Sequence, residues 1–167
     1  AQRLMSALGS EGARWKESIV SLNDSLTILI GDVLLASAFV SYIGCFNKRF
    51  RAELMNKTFL PYLKGELPIA KGGVPMSDST DPLKVLTTDA QIAGWNTELL
   101  PADRVSTENG SIVTSCARWP LMIDPQRQAN KFVKALARQH EGQHDVVKMQ
   151  DANFLRVLAV SYTHLTL

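Results

Sequence analysis

The chain has 167 residues, of which 46% are hydrophobic and 20% are charged, and its formal net charge is +2. This composition is too apolar for a disordered chain, and the near-neutral charge gives no reason to expect nucleic acid or an anionic membrane as a partner. Cys45 and Cys116 lack a CxxC spacing, which argues against a disulfide scaffold or a cysteine zinc site and fits a reducing compartment. Because the chain opens at Ala1 without a signal-like segment, we expect a piece of a longer protein.

The first segment carries a seven-residue hydrophobic repeat. This spacing is typical of a coiled-coil seam, and such a helix exposes an apolar stripe that needs a second helix. The same spacing also fits an amphipathic helix packed on a globular core. Gly12 interrupts one of the two series of seam residues, which are Met5, Ile19 and Leu26, and Leu8, Trp15, Leu22 and Leu29.

The next stretch, residues 28–46, is apolar or small except for Asp32. Its length is close to the roughly 20 residues that span a bilayer, so a small membrane-anchored protein is one alternative, with Lys48 among the flanking charges. Asp32 would be costly in lipid. Gly31 and Asp32 instead predict the start of a buried helix in a soluble protein.

Residues 47–63 mix charged and apolar side chains and predict an amphipathic helix that stops near Pro61. Residues 65–82 are rich in glycine, proline and serine, which favour turns, and we place a domain boundary there. Beyond it, Thr88 and Gln91 predict a capping box that opens a short helix.

A helix, a strand and another helix are predicted next. Ser106 or Thr107 is expected to open the first helix, and residues 119–123 are predicted to form a buried strand. Asp124 and Pro125 then predict the cap and the first residue of the following helix. The apolar face of that helix consists of Ala129, Phe132, Val133 and Leu136.

A strand, a short loop and a helix form the layout of a phosphate-binding loop, in which backbone amides and a helix N-terminus stabilise phosphate. The required side chains are absent here. Asp124 and Ala129 stand at the usual glycines, Asn130 at the phosphate lysine and Lys131 at the magnesium-binding hydroxyl. We therefore expect no nucleotide at this degenerate loop, which consists of Asp124, Pro125, Gln126, Arg127, Gln128, Ala129, Asn130 and Lys131.

A zinc metallopeptidase is a rival hypothesis. His140, Glu141 and His144 form an HExxH motif, in which two histidines one helical turn apart could bind zinc while the glutamate activates water. Gly142 weakens the helix that this motif needs, and His164 is the one plausible histidine for a third ligand. The favoured interpretation is a solvated helix end, with no metal.

Residues 3–15 (RLMSALGSEGARW) and 31–46 (GDVLLASAFVSYIGCF) resemble the end of the dynein stalk and its return into the ring. Residues 95–126, which include WNTELLPADRVSTENGSIVT and RWPLMIDPQ, resemble the start of the fifth AAA+ module of dynein heavy chains. The resemblance covers roughly residues 3–158 and is closer to axonemal than to cytoplasmic dyneins.

The resemblance implies a mainly α fold with a partial α/β segment. Residues 1–29 would be the returning stalk coiled-coil helix, and residues 30–65 the helical small subdomain of the fourth AAA+ module. Residues 66–81 would be a linker, and residues 82–158 the start of the fifth module, an incomplete P-loop-like α/β subdomain. The resemblance stops before residues 159–167, which we expect to be a non-native tail.

The function that the resemblance implies is mechanical: a non-catalytic part of an ATP-driven, minus-end-directed microtubule motor, with ATP and magnesium at other modules and no cofactor in this fragment. The implied partners are the other stalk helix, neighbouring AAA+ modules, the microtubule, and dynein intermediate and light chains, with no nucleic acid. The implied location is the ciliary or flagellar axoneme. One polar run is expected to cap a helix or to contact a neighbouring module: Asp103, Arg104, Ser106, Glu108 and Asn109.

Overall fold

A computed structural model of the chain describes residues 2–66, 72–79, 81–139 and 146–164, and within those ranges the regular structure is helical. The mainly α fold class is therefore confirmed. In chain order the helices are α1 (Gln2–Tyr42), α2 (Lys48–Glu53) with π-helical continuations Leu54–Phe59 and Tyr62–Glu66, α3 (Leu83–Leu86), α4 (Asp89–Thr97), α5 (Arg104–Ser115), α6 (Gln128–Ala137) and α7 (Phe154–His164).

The long helix α1 has 41 residues, which corresponds to about 60 Å at 1.5 Å per residue. Its exposed part ends at Gly31, and from there one face is buried. The predicted helix start at Gly31 and Asp32 is wrong, because α1 passes through both residues without a break. Gly31 instead allows the backbone at Pro75 to lie close against α1, since an ideal Cβ on Gly31 would lie 2.4 Å from the Pro75 carbonyl oxygen.

The first hydrophobic core forms around the part of α1 that follows Gly31. Leu35, Phe39 and Ile43 recur every four residues and therefore share one face of the helix. They pack against Met55, Leu60 and Leu63. Each large apolar side chain buried in this way contributes about 1.5–3 kcal/mol.

The helical segment that supplies the other side of this core runs to Glu66, so the predicted stop near Pro61 is wrong. In a regular α-helix, proline removes a hydrogen bond and its ring clashes with the carbonyl one turn earlier. Here the backbone forms wider π-helical turns on both sides of Pro61, over Leu54–Phe59 and Tyr62–Glu66. These turns, and the burial of Leu60 and Leu63, keep the segment helical through the proline.

A second hydrophobic cluster joins α4, α5 and α6. Trp95, Leu100 and Phe132 are buried together, and the Trp95 and Phe132 rings meet edge to face with centroids 6.3 Å apart. Helix α5 contacts this cluster at Gly110, where an ideal Cβ would lie 2.8 Å from Leu100 Cδ2. Phe132 belongs to the predicted apolar face of α6.

Two helix starts test the capping predictions. The capping box of Thr88 and Gln91 is confirmed, since each side chain accepts a hydrogen bond from the backbone amide of the other. Helix α5 begins at Arg104, two residues before the predicted start, because Asp103 is the N-cap. The Asp103 carboxylate accepts the Ser106 amide at 3.0 Å.

The predicted buried strand at residues 119–123 is not formed. This segment is irregular, and Trp119, Leu121 and Ile123 are 73%, 93% and 91% exposed. A strand needs a neighbouring strand for its backbone hydrogen bonds, and the described residues place no extended segment beside this one. Within the described residues, the regular structure of this half of the chain is therefore helical, without the strand of an α/β unit.

The core predicts a clear contrast between two positions on α1. Replacing the buried Phe39 with alanine should lower the free energy of unfolding by about 3–5 kcal/mol, because it leaves a cavity. Leu34→Ala, on the exposed side of the same helix, should cost less than about 1 kcal/mol. Urea unfolding followed by circular dichroism measures both. Equal losses would mean that the buried face is not where the structure places it.

Candidate functional site

The guanidinium group of Arg51 lies at the junction of α1, α2 and α5. It is buried, and its donors reach the carbonyl oxygens of Phe46 (Nε, 2.7 Å) and Gly44 (Nη2, 3.1 Å). It also reaches Glu108 Oε2 (Nη1, 3.0 Å) and Asn109 Oδ1 (Nη2, 2.7 Å). One side chain therefore ties the end of α1 to the middle of α5.

This arrangement meets the conditions for burying a charge. Desolvating an ion costs several kcal/mol unless an opposite charge and further hydrogen bonds compensate. Glu108 supplies the opposite charge, while two carbonyls and Asn109 accept most of the remaining donors. The planar fork of arginine suits this task, whereas a lysine ammonium would reach fewer partners.

Glu108 also binds a second arginine, and the pairing continues to the surface. Its Oε1 accepts Arg104 Nε at 2.8 Å, and Arg104 forms a bidentate pair with Asp81 at 2.9 and 2.7 Å. We call Arg51, Glu108, Arg104 and Asp81 the ion-pair chain. The side chains of the inner pair, Arg51 and Glu108, are 6% and 12% exposed, and those of the outer pair, Arg104 and Asp81, are 45% and 32% exposed.

The ion-pair chain shifts the titration of its outer members. The hydrogen bonds from Arg104 hold the pKa of the Asp81 carboxyl below its usual value of 3.8, against the opposing effect of burial. The same hydrogen bonds raise the pKa of Arg104. Beside them, the Ser106 hydroxyl and amide lower the pKa of Asp103. These groups are therefore charged at neutral pH.

The polar run at the start of α5 caps that helix, as predicted, and also contacts α2. Asp103 caps the helix, and Glu108 and Asn109 contact α2 through Arg51. Arg51 was not predicted as part of this site. The sequence gives only a weak indication that Arg51 is buried: it lies one turn before the buried Met55 and so falls on the apolar face of its helix.

The predicted seam residues all belong to α1. Among those whose burial is known, Trp15, Ile19, Leu22, Leu26 and Leu29 are exposed, so the structure leaves this apolar stripe uncovered. Met5 and Leu8 lie earlier on the same helix.

Length and composition alone would let Glu11–Tyr42 cross a membrane, a test that core helices of soluble proteins also pass. Leu35, Phe39 and Ile43 are packed inside protein, which does not fit a lipid-facing span. The end of the helix that carries Leu35 and Phe39 is therefore a protein core and not a lipid-facing surface.

The degenerate loop places a carboxylate at the start of α6. Asp124 accepts the backbone amides of Gln128 (2.9 Å) and Asn130 (3.0 Å), which are the donors that a phosphate would use. The predicted positions of the cap and of the first helical residue are both wrong, since the N-cap is Arg127 and α6 begins at Gln128, although the Asp124 carboxylate does accept amides of the first turn. Arg127 takes the left-handed conformation (φ 60°) that lets the loop turn back over the helix end.

The HExxH residues His140, Glu141 and His144 lie outside the described residues. Within the described ranges, no three histidine, cysteine, aspartate or glutamate side chains are grouped to hold a metal ion.

The fold is thus a helical one, in which a long, partly exposed helix is anchored in one core and linked by ion pairs to a second cluster. Comparison with known proteins gives its family. The family model described as the microtubule-binding stalk of dynein motor matches residues 1–63, and the one described as the ATP-binding dynein motor region matches residues 93–163. The chain belongs to the dynein heavy chain family.

Three relatives illustrate the similarity. The ciliary dynein beta chain of Heliocidaris crassispina is 49% identical over 134 residues, or 80% of this chain. Dynein axonemal heavy chain 17 of Homo sapiens is 40% identical, and the flagellar outer arm dynein alpha chain of Chlamydomonas reinhardtii is 42% identical, each over 158 residues, or 95% of this chain. The chain spans 3% of the length of each of these relatives.

The buried pair predicts a large effect for one isosteric change. Glu108→Gln should lower the free energy of unfolding by about 3 kcal/mol, because it leaves two arginines without their shared carboxylate. The control is Glu53→Gln, which removes an exposed pair with Lys57 and should cost less than about 1 kcal/mol. Urea unfolding at neutral pH compares them. Similar small losses would show that Glu108 is not desolvated as described.

The lowered pKa of Asp81 predicts a pH dependence. A carboxyl whose pKa is depressed in the folded state adds stability that is fully present above its unfolded pKa and is lost as the pH falls through the folded value. The stability difference between the wild type and Asp81→Asn should therefore be largest above about pH 4 and should shrink on further acidification. Unfolding measured between pH 7 and pH 3 checks this, and a difference that does not change with pH would contradict it.

Proposed function

We propose that this chain is a non-catalytic mechanical part of an axonemal dynein heavy chain, an ATP-driven, minus-end-directed microtubule motor, and that it couples the AAA+ ring to the microtubule-binding stalk. One observation carries the proposal: α1 is a single helix whose first part is exposed and whose last part is built into a core. A continuous helix transmits displacement along its axis because each turn is hydrogen-bonded to the next.

The proposed organisation follows the change in burial along the chain. Residues 1–29 form the returning stalk helix, and residues 30–65, with the first core, belong to the small helical subdomain of the fourth module. Residues 66–81 connect them to the start of the fifth module at residues 82–158. Support comes from the burial that begins at Gly31 and from the two family matches.

The exposed seam is proposed to pack against the other stalk helix. A heptad seam can hold two discrete registers with comparable packing, and an element with two states is what coupling over a distance requires. The apolar side chains Ile19, Leu22 and Leu26 are exposed at heptad spacing, which supports this role.

The degenerate loop is proposed to hold no nucleotide. The Asp124 carboxylate already accepts the amides of Gln128 and Asn130, and its charge repels a phosphate at that place. No lysine stands at the phosphate position, which is Asn130. ATP and magnesium would then act at other modules of the heavy chain, and this part needs no cofactor of its own.

The proposed partners follow from the relatives, which are named as ciliary, flagellar and axonemal dynein chains. They are the other stalk helix, neighbouring AAA+ modules, the microtubule through the stalk tip, and dynein intermediate and light chains. The proposed location is the ciliary or flagellar axoneme, on the reducing, cytoplasmic side of the membrane.

The seam predicts uncoupling by a polar substitution in the complete motor. Leu22→Ser should leave basal ATP hydrolysis unchanged but should remove its stimulation by microtubules, because the seam loses an apolar contact that sets the register. The control is Val20→Ser, since Val20 is 60% exposed and Leu22 64%, but Val20 lies off the seam. Steady-state ATPase rates with and without microtubules measure the stimulation in both variants. Normal stimulation in Leu22→Ser would count against the proposed coupling.

A further inference from the structure

The segment of residues 72–79, which we call the strap, crosses α1 where that helix enters the first core. The approach is so close that an ideal Cβ on Gly31 would lie 2.4 Å from the Pro75 carbonyl oxygen and 2.6 Å from Met76 Cβ. Met76 also packs against the first core. The strap therefore marks the boundary between the exposed and buried parts of α1.

Hydrogen bonds hold the strap at two points. The Val74 amide donates to the Leu63 carbonyl oxygen at 2.8 Å, and the Ser77 amide donates to Asp32 Oδ1 on α1 at 3.0 Å. Gly73 has a φ of 83°, and an ideal Cβ there would lie 1.9 Å from the Lys64 carbonyl oxygen. Any other residue at position 73 would therefore push the strap away from Lys64.

The strap also leads into the ion-pair chain. Asp81 follows Ser77 by four residues and forms the bidentate pair with Arg104 on α5. Helix α5 is thus joined to α1 twice, through the strap at Asp32 and through Arg51 at the Gly44 carbonyl. The ten residues from Asp32 to the end of α1 at Tyr42, about 15 Å of helix, and a short turn to Gly44 separate these two points. Two attachments at this distance fix both the axial position and the rotation of α1.

The two attachments differ in strength. The inner pair of Arg51 and Glu108 is buried, so breaking it leaves uncompensated charges and is costly. The outer pair of Arg104 and Asp81 is partly exposed, and such pairs contribute little and are screened by salt. Of the two connections between α5 and α1, the one through Asp81 and the strap is consequently the one that can open while Arg51 stays paired.

We infer that the strap is a latch that sets the register of α1 at its root, with Asp32 as the positioning residue that engages it. Closed, it holds α1 at the entrance to the first core; open, it lets the continuous helix tilt or rotate about its attachment at Arg51, which moves the exposed part against the other stalk helix. This inference rests on the proposed coupling function and adds the part that regulates it.

The test uses the complete heavy-chain motor with two variants that open the latch by different means. Asp32→Ala removes the acceptor of the Ser77 amide, and Gly31→Ala places a methyl group against Pro75. Asp32→Asn keeps an oxygen that can accept the same amide and should behave as the wild type. Asp24→Ala, an exposed acid earlier on α1, is the control for lost charge.

Two readouts are needed. Hydrogen exchange of residues 72–79 reports whether the strap is docked, and should speed up in Asp32→Ala and Gly31→Ala alone. The difference in microtubule affinity between the nucleotide states of the motor reports coupling. It should fall by about 2- to 10-fold in those two variants, the loss expected for one hydrogen bond, while basal ATP hydrolysis stays unchanged.

The outcomes separate this inference from the proposed function. Normal coupling in a variant whose strap exchanges freely overturns the latch, and so does a strap that stays protected in both variants. If Leu22→Ser uncouples the motor while both strap variants couple normally, the latch fails alone and the proposed function stands. If neither kind of variant affects coupling, both fail.

Discussion

The desolvated guanidinium of Arg51 is the constraint on which the arrangement of the two helical clusters depends. A buried cation is tolerable only where its donors find acceptors, and these acceptors come from two distant parts of the chain. Gly44 and Phe46 offer carbonyls at the end of α1, and Glu108 and Asn109 offer side-chain oxygens on α5. One residue therefore constrains both the angle at which α1 meets α2 and the position of α5.

Local signals in the sequence predicted what local chemistry decides. The capping box of Thr88 and Gln91 depends on residues three apart, and the apolar face that contains Phe132 depends on helical periodicity. The seam spacing likewise predicts a helix, and α1 is one. Even the cap of α5 was missed by only a few residues, since Asp103 belongs to the predicted polar run.

The errors arose where the outcome depends on structure that a local pattern does not contain. Gly31 suggests a helix boundary until Pro75 is known to lie against it, and Pro61 suggests a stop until the flanking π-helical turns are seen. Residues 119–123 have the composition of a strand, but strand formation needs a partner that no periodicity in this segment can reveal. Arg51 was missed for the same reason, because its acid stands 57 residues away.

The two parts of α1 differ in how strongly packing opposes a change of contacts. Beyond Gly31, a change of register would pull Leu35, Phe39 and Ile43 out of a close-packed core, at roughly 1.5–3 kcal/mol for each side chain. Before Gly31, the seam residues whose burial the structure describes are exposed, so in the proposed coiled coil an equivalent seam contact one heptad away would cost little. The seam is therefore the part of α1 whose packing can change at low cost, and it ends where the strap crosses the helix.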